Sequence, residues 1–219
     1  MGSSTQTKTA LGLFLFGLIN RVVSYKLSVY NTRMKKSISH IFGGEAKVRI
    51  MRLFIFNVGQ TFPISEVATR AKVRSNVARK EVNILTKAGL IKKMAKGYIL
   101  NSSYPYLAAI ANFLVDANPI SDKEIVRKIS KAGAIKLVLV SGVFLHDRDS
   151  RIDILVVGDH LSQSKLLSAI SSIEAELGKE LRYAAFETSD FNYRMGIYDK
   201  LIRDIIDAKH KKILNKLGI

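Results

Sequence analysis

Residues Arg74–Leu100 read RSNVARKEVNILTKAGLIKKMAKGYIL, and a change of period inside this stretch decides the fold around it. The first half is helical, with Val77, Val82, Ile84 and Leu85 supplying the core side. Ser75 is the expected N-cap, because its hydroxyl can accept an amide that the first turn leaves without a partner. Gly89 closes the helix at a position that favours positive φ. Beyond it, Leu90–Met94 and Tyr98–Leu100 are short β-prone runs around Ala95-Lys96-Gly97, which predicts a small hairpin with a basic tip. Arg74, Asn76, Arg79 and Lys80 gather near the helix's first turns, and Lys92, Lys93 and Lys96 lie on the hairpin.

Upstream, EAKVRIMRLFIFN (residues 45–57) carries Val48, Met51, Leu53 and Ile55 at helical spacing, with Phe54 and Phe56 broadening the stripe. Gly59 ends that helix, and Pro63 with Ser65 marks the start of a short second one. Its Val67 and Ala68 are expected inside, and the small Ala71 suits a tight turn.

The charge is segregated. The 219 residues carry a formal +17, yet residues 34–103 hold 14 Lys/Arg against 3 Asp/Glu, while residues 104–219 hold 17 against 15. A basic excess confined to one segment is what a polyanion-binding module needs. The absence of Cys excludes disulfides, Cys-ligated zinc and a thiol nucleophile, and fits a reducing cytoplasm. The four histidines are scattered without ligand spacing, so neither a metal nor another cofactor is expected. Residues 1–33 contain no acid, and their apolar run Ala10–Ile19 is too short for a bilayer, which takes roughly 20 residues. They read as an upstream extension or a loosely attached helix, with folded sequence beginning at Met34 and no membrane partner expected.

Residues 41–101, three helices and a basic hairpin, resemble the winged helix-turn-helix transcriptional regulators of the ArsR-like group. That resemblance implies a third helix lying in the major groove of double-stranded DNA, with Arg74, Asn76, Arg79 and Lys80 toward base edges or phosphates. Ser75 would divide its role between cap and phosphate contact. Lys92, Lys93 and Lys96 would follow the backbone. For any one of these residues the alternative is a solvated helix face; the set as a whole argues for DNA.

Tyr104–Val115 reads as an apolar helix joining the two halves or pairing with a second chain, the candidate element of a homodimer. Ser121 caps a helix over Asp122–Lys131 with Ile125 and Ile129 on one face. AIKLVLVSG and IDILVVG follow as buried strands. Next come a helix with Leu166, Leu167, Ile170, Ile173 and Leu177 inward, a third strand ELRYAAFE, and helical segments FNYRMG and YDKLIRDIIDAKHKKILN.

Lys123–Ile219 resembles the minimal nucleotidyltransferase domain of the polymerase-β superfamily. That family carries a Gly-Ser pair after the first strand and Asp-x-Asp on the second. Residues i and i+2 of a strand share a face, so two carboxylates there can hold magnesium. Here Gly142 matches the glycine, Val143 replaces the serine, Asp153 matches the second carboxylate, and Arg151 stands in place of the first. A guanidinium repels a divalent ion and does not deprotonate. The expected roles of Arg151 are an ion pair with Asp153 or contact with a nucleotide or other phosphate ligand.

The resulting expectation is an α+β protein, a winged helix-turn-helix followed by a small mixed α/β nucleotidyltransferase-like domain. Its parts are an extension (1–33), a DNA-binding domain (34–103), a linker helix (104–122) and the second domain (123–219). The function expected is that of a cytoplasmic, dimeric DNA-binding regulator whose second domain is catalytically inactive and serves dimerisation or ligand sensing. The alternative is an active magnesium-dependent nucleotidyltransferase that modifies a partner protein.

Overall fold

The computed structural model describes residues 39–116, 120–145, 147 and 149–219; the extension 1–33 and its apolar run lie outside them. The fold is α+β, with two separate sheets.

The first half builds one apolar core from helices α1 (Glu45–Phe56), α2 (Ile64–Arg70) and α3 (Ser75–Lys87) and a three-stranded antiparallel sheet. That sheet runs β1-β3-β2, from β1 (Thr61–Phe62), β2 (Ile91–Met94) and β3 (Gly97–Leu100). Met94 pairs with Gly97, so Ala95 and Lys96 form the two-residue tip of the hairpin. Val48, Met51, Leu53, Phe54 and Ile55 of α1 are buried, as their spacing predicts. Phe62 packs edge-on against Phe54 with ring centroids 5.6 Å apart, and its burial explains why so short a strand as β1 is held in place.

Helix α3 departs from expectation in two ways. Arg74 is the N-cap and Ser75 the first helical residue, with no side-chain cap bond. Its inner stripe is Ala78, Glu81, Val82 and Leu85 rather than one containing Ile84, which is 38% exposed; Val77 is only half-buried. Positions 78, 81, 82 and 85 keep the i, i+3, i+4, i+7 period, and the charged member of that stripe is accommodated by an ion pair described below.

Helix α4 (Leu107–Asp116) starts three residues later than expected, because Pro105 and Tyr106 form a turn before it. Leu114 is buried in the first core, with Leu107, Ile110 and Ala111 packed against it. The linker helix is therefore part of the first half's packing.

In the second half, a four-stranded sheet runs β6-β5-β4-β7, made of β4 (Ala134–Val140), β5 (Ile154–Asp159), β6 (Tyr183–Glu187) and β7 (Lys211–Asn215). β5 and β6 are parallel, joined through α6 (Gln163–Leu177); β4 is antiparallel to both β5 and β7. Side chains of β5 alternate between two cores. Ile154 and Val156 meet Ile125 and Ile129 of α5 (Asp122–Ile129) and Leu166, Ile170 and Ile173 of α6. Leu155 and Val157 meet Phe191 of α7 (Thr188–Gly196) and Ile202 and Ile205 of α8 (Lys200–Asp207). Burial on both faces explains why these strands read as continuous apolar runs. Ser121 caps α5 as expected, its hydroxyl accepting from Glu124 N at 3.3 Å. Leu167 points outward, 49% exposed, and Leu177 is half-buried. The last expected helix stops at Asp207, and Lys211–Asn215 is an edge strand on β4.

The halves meet along α6. Arg49 Nη2 lies 2.6 Å from Glu176 Oε1, Arg52 donates to the carbonyls of Glu176 (2.9 Å) and Leu114 (3.2 Å), and Asn57 donates to Gly178 O at 2.7 Å. Arg70 pairs with Glu180 at 2.8 Å. Gly178 ends α6 at φ +77, and a Cβ there would lie 2.6 Å from Arg52 Cβ. Both the left-handed turn and the close approach require glycine.

Candidate nucleic-acid interface and the loop between β4 and β5

The outer side of α3 presents Ser75, Asn76, Arg79, Lys80, Asn83 and Lys87, all exposed, with Arg74 at its amino end. Lys92, Lys93 and Lys96 are exposed on the hairpin. Among the described residues, none of the six cations Arg74, Arg79, Lys80, Lys92, Lys93 and Lys96 has an ion-pair partner. The one carboxylate of α3, Glu81, is turned inward, where its Oε2 lies 3.4 Å from Lys47 Nζ of α1. An acid that would have cancelled part of the outer charge is thus neutralised beneath it. Ser75 is exposed at the first turn, and Asn76, also exposed, accepts from Val77 N through its Oδ1 at 2.8 Å. Among the described residues, the outer side of α3 and the hairpin carry cations, amides and hydroxyls, and the one acid of these elements is turned inward.

The loop between β4 and β5 is arranged differently from expectation. Asp153 precedes β5 and is 4% exposed. Its Oδ1 accepts from Val143 N at 2.9 Å, and its Oδ2 accepts from Arg182 N at 2.9 Å, with Arg182 Nε at 3.4 Å. Asp153 also exchanges backbone bonds, its N–H donating to Arg182 O at 2.6 Å and its carbonyl accepting from Ser141 N at 2.9 Å. The carboxylate ties three chain segments together. Gly142, at φ +50, lies so close that a Cβ would collide with Asp153 Oδ1. Its conformation and lack of a side chain serve this clamp.

Arg151 does not pair with Asp153. It is exposed, and its Nη1 reaches Asp204 Oδ2 on α8 at 3.0 Å. The partner of Asp153 is Arg182, which sequence reasoning missed because it lies 29 residues away, just before β6. Ser141 and Ser150 were also missed: their hydroxyl oxygens lie 2.9 Å apart, and Ser141 donates to Lys209 O at 2.6 Å. In the same loop, Asp149 N donates to Asp147 Oδ1 at 3.0 Å. Among the described residues, no group of three or more His, Asp or Glu side chains is placed to hold a metal. Glu187 accepts the amides of His160 and Leu161 at 3.1 and 2.9 Å and so braces the turn into α6.

Among the described residues, two groups are displaced from their ordinary pKa values. Burial pulls the Arg52 guanidinium down to about 10, opposed by the Glu176 carboxylate, so it stays charged at neutral pH. The hydrogen bond from Lys136, 2.6 Å away, holds Asp159 below the usual carboxylate range.

No family model, curated protein or solved structure matches this chain. No helix among the described residues is long and apolar enough to cross a membrane.

Proposed function

We propose that the chain is a DNA-binding regulator whose first half is a winged helix-turn-helix, α3 being its recognition helix and the β2–β3 hairpin its wing. The observation that carries this reading is the acid-free outer face of α3, with Glu81 drawn inward to Lys47. A helix of 13 residues fits the major groove, where Arg79 and Asn76 have the donors to read base edges and Lys80 and Arg74 to bind phosphates. Lys92, Lys93 and Lys96 on the hairpin supply phosphate contacts that position without specifying. The uncharged exposed residues of α4, Ala108, Ala109, Asn112 and Phe113, are the proposed pairing surface of a dimer. Such a protein acts in the cytoplasm, where duplex DNA and a cysteine-free sequence are both at home.

The second half runs strand, loop, strand, helix, strand (β4, β5, α6, β6), an order that supports reading it as nucleotidyltransferase-like, and we assign it a scaffolding role. The occupied oxygens of Asp153 and the Arg151–Asp204 pair support that role over magnesium-dependent transfer to a partner protein. The test is fluorescence anisotropy of the full chain with a labelled duplex across a range of salt. Binding whose log K falls linearly with log salt supports the reading; no binding at low salt overturns it.

A further inference from the structure

A second basic patch lies where the halves meet. Lys72, in the turn between α2 and α3, donates to Ser168 O of α6 at 3.1 Å and remains exposed. Ser162, which precedes α6, donates its N–H to Ala132 O at 2.7 Å, and Lys131 immediately precedes Ala132. Lys165, one turn before Ser168, is also exposed. Lys72, Lys131 and Lys165 therefore cluster around one half of α6, and none has an ion-pair partner among the described residues.

Two acids flank the turn into α6, Glu187 held by the amides of His160 and Leu161 and Asp159 paired with Lys136. Residues 160–173 contain none. Glu174, Glu176 and Glu180 lie toward the other end of α6 or beyond it, where Glu176 meets Arg49 and Glu180 meets Arg70. Charge along α6 is thus polarised, acidic where it binds the first half's arginines and basic beside the turn that leads into α3. Arg74 follows Lys72 by two residues, so the patch adjoins the amino end of the α3 surface.

We infer that the DNA-contacting surface crosses from one half to the other, with Lys72, Lys131 and Lys165 binding the phosphate backbone of duplex DNA beyond the segment covered by α3. This inference rests on the DNA-binding reading above and adds the second half to the contact surface. The ion pairs and hydrogen bonds along α6 hold the two sets of cations in fixed relation.

The test compares the full chain, the double variant Lys131→Ala/Lys165→Ala, Arg79→Ala and the control Lys179→Ala in duplex titrations over a range of salt. All four residues are exposed, and circular dichroism checks that each variant folds. The double variant should flatten the slope of log K against log salt by about two and weaken all sequences alike. Lys179→Ala, beyond the acidic end of α6, should leave the slope unchanged. An unchanged slope in the double variant, with Arg79→Ala still impaired, overturns this inference and leaves the α3 reading standing. Absence of duplex binding by the parent chain overturns both.

Discussion

Asp153 sits where two amides converge, Val143 N on one oxygen and Arg182 N on the other, in a pocket that leaves it 4% exposed. Asp153→Ala strands both donors in a buried site and should cost about 1–3 kcal/mol in urea unfolding. A loss no larger than that of an exposed control would contradict the clamp. The neighbouring Asp159 gives a pH dependence. Its carboxyl is held low in the fold by Lys136, so its contribution is present above the unfolded value of 3.8 and lost as pH falls through and below it. Asp159→Asn should therefore show a shallower fall in stability below about pH 4 than the parent chain. At the same scale, Arg79→Ala should cost about 1–3 kcal/mol of binding if Arg79 reads a base, with relaxed preference at one position. Equal losses on matched and random duplexes would remove it from base readout.

At the scale of elements, helix α3 carries a direct check on its register. Leu85→Ala should cost about 2–5 kcal/mol as a buried truncation, whereas Ile84→Ala, at 38% exposure, should cost well under 2. The reverse order, read by denaturant unfolding, would place Ile84 inside. Much of this was legible in the sequence: the stripes of α1, the basic hairpin, the Ser121 cap and the apolar runs of β4 and β5 follow from period and turn chemistry. What failed has physical causes. Ile84 is apolar and reads as core, whereas the place of Glu81 in the stripe depends on Lys47, 34 residues earlier. Ser75 was read as a cap, but Arg74 takes that position without a side-chain bond. Lys211–Asn215 reads as a helix tail because nothing local marks it as a strand; pairing with β4 makes it one. The Arg151–Asp153 pair followed from proximity in sequence, whereas β6 and α8 bring Arg182 and Asp204 to those two side chains instead.

The whole molecule is organised by α6, one face on the sheet and one end against α1. Arg52, 4% exposed at this junction, is held by two carbonyls and by the charge of Glu176. Glu176→Gln removes the countercharge from Arg52 and the nearer of two ion-pair partners from Arg49, which keeps Glu45 at 3.5 Å. It should destabilise the chain by roughly 3 kcal/mol, the low end of the range for broken buried pairs, because Arg49 keeps 21% of its side-chain exposure. Thermal unfolding that leaves the variant's midpoint unchanged would contradict a joined pair of modules. On the proposed DNA-binding reading this joint also matters, since α3 and the lysines beside α6 would follow one duplex only if their relation is fixed.

The central claim, that the outer face of α3 reads duplex DNA, is tested most directly by selection of the full chain on randomised duplexes at two salt concentrations. The account predicts enrichment of a short motif, two-fold symmetric if the chain pairs through α4, that survives the higher salt and is lost in Arg79→Ala. No enriched motif, with affinity collapsing at the higher salt, would contradict sequence reading and leave only nonspecific attraction to the phosphate backbone.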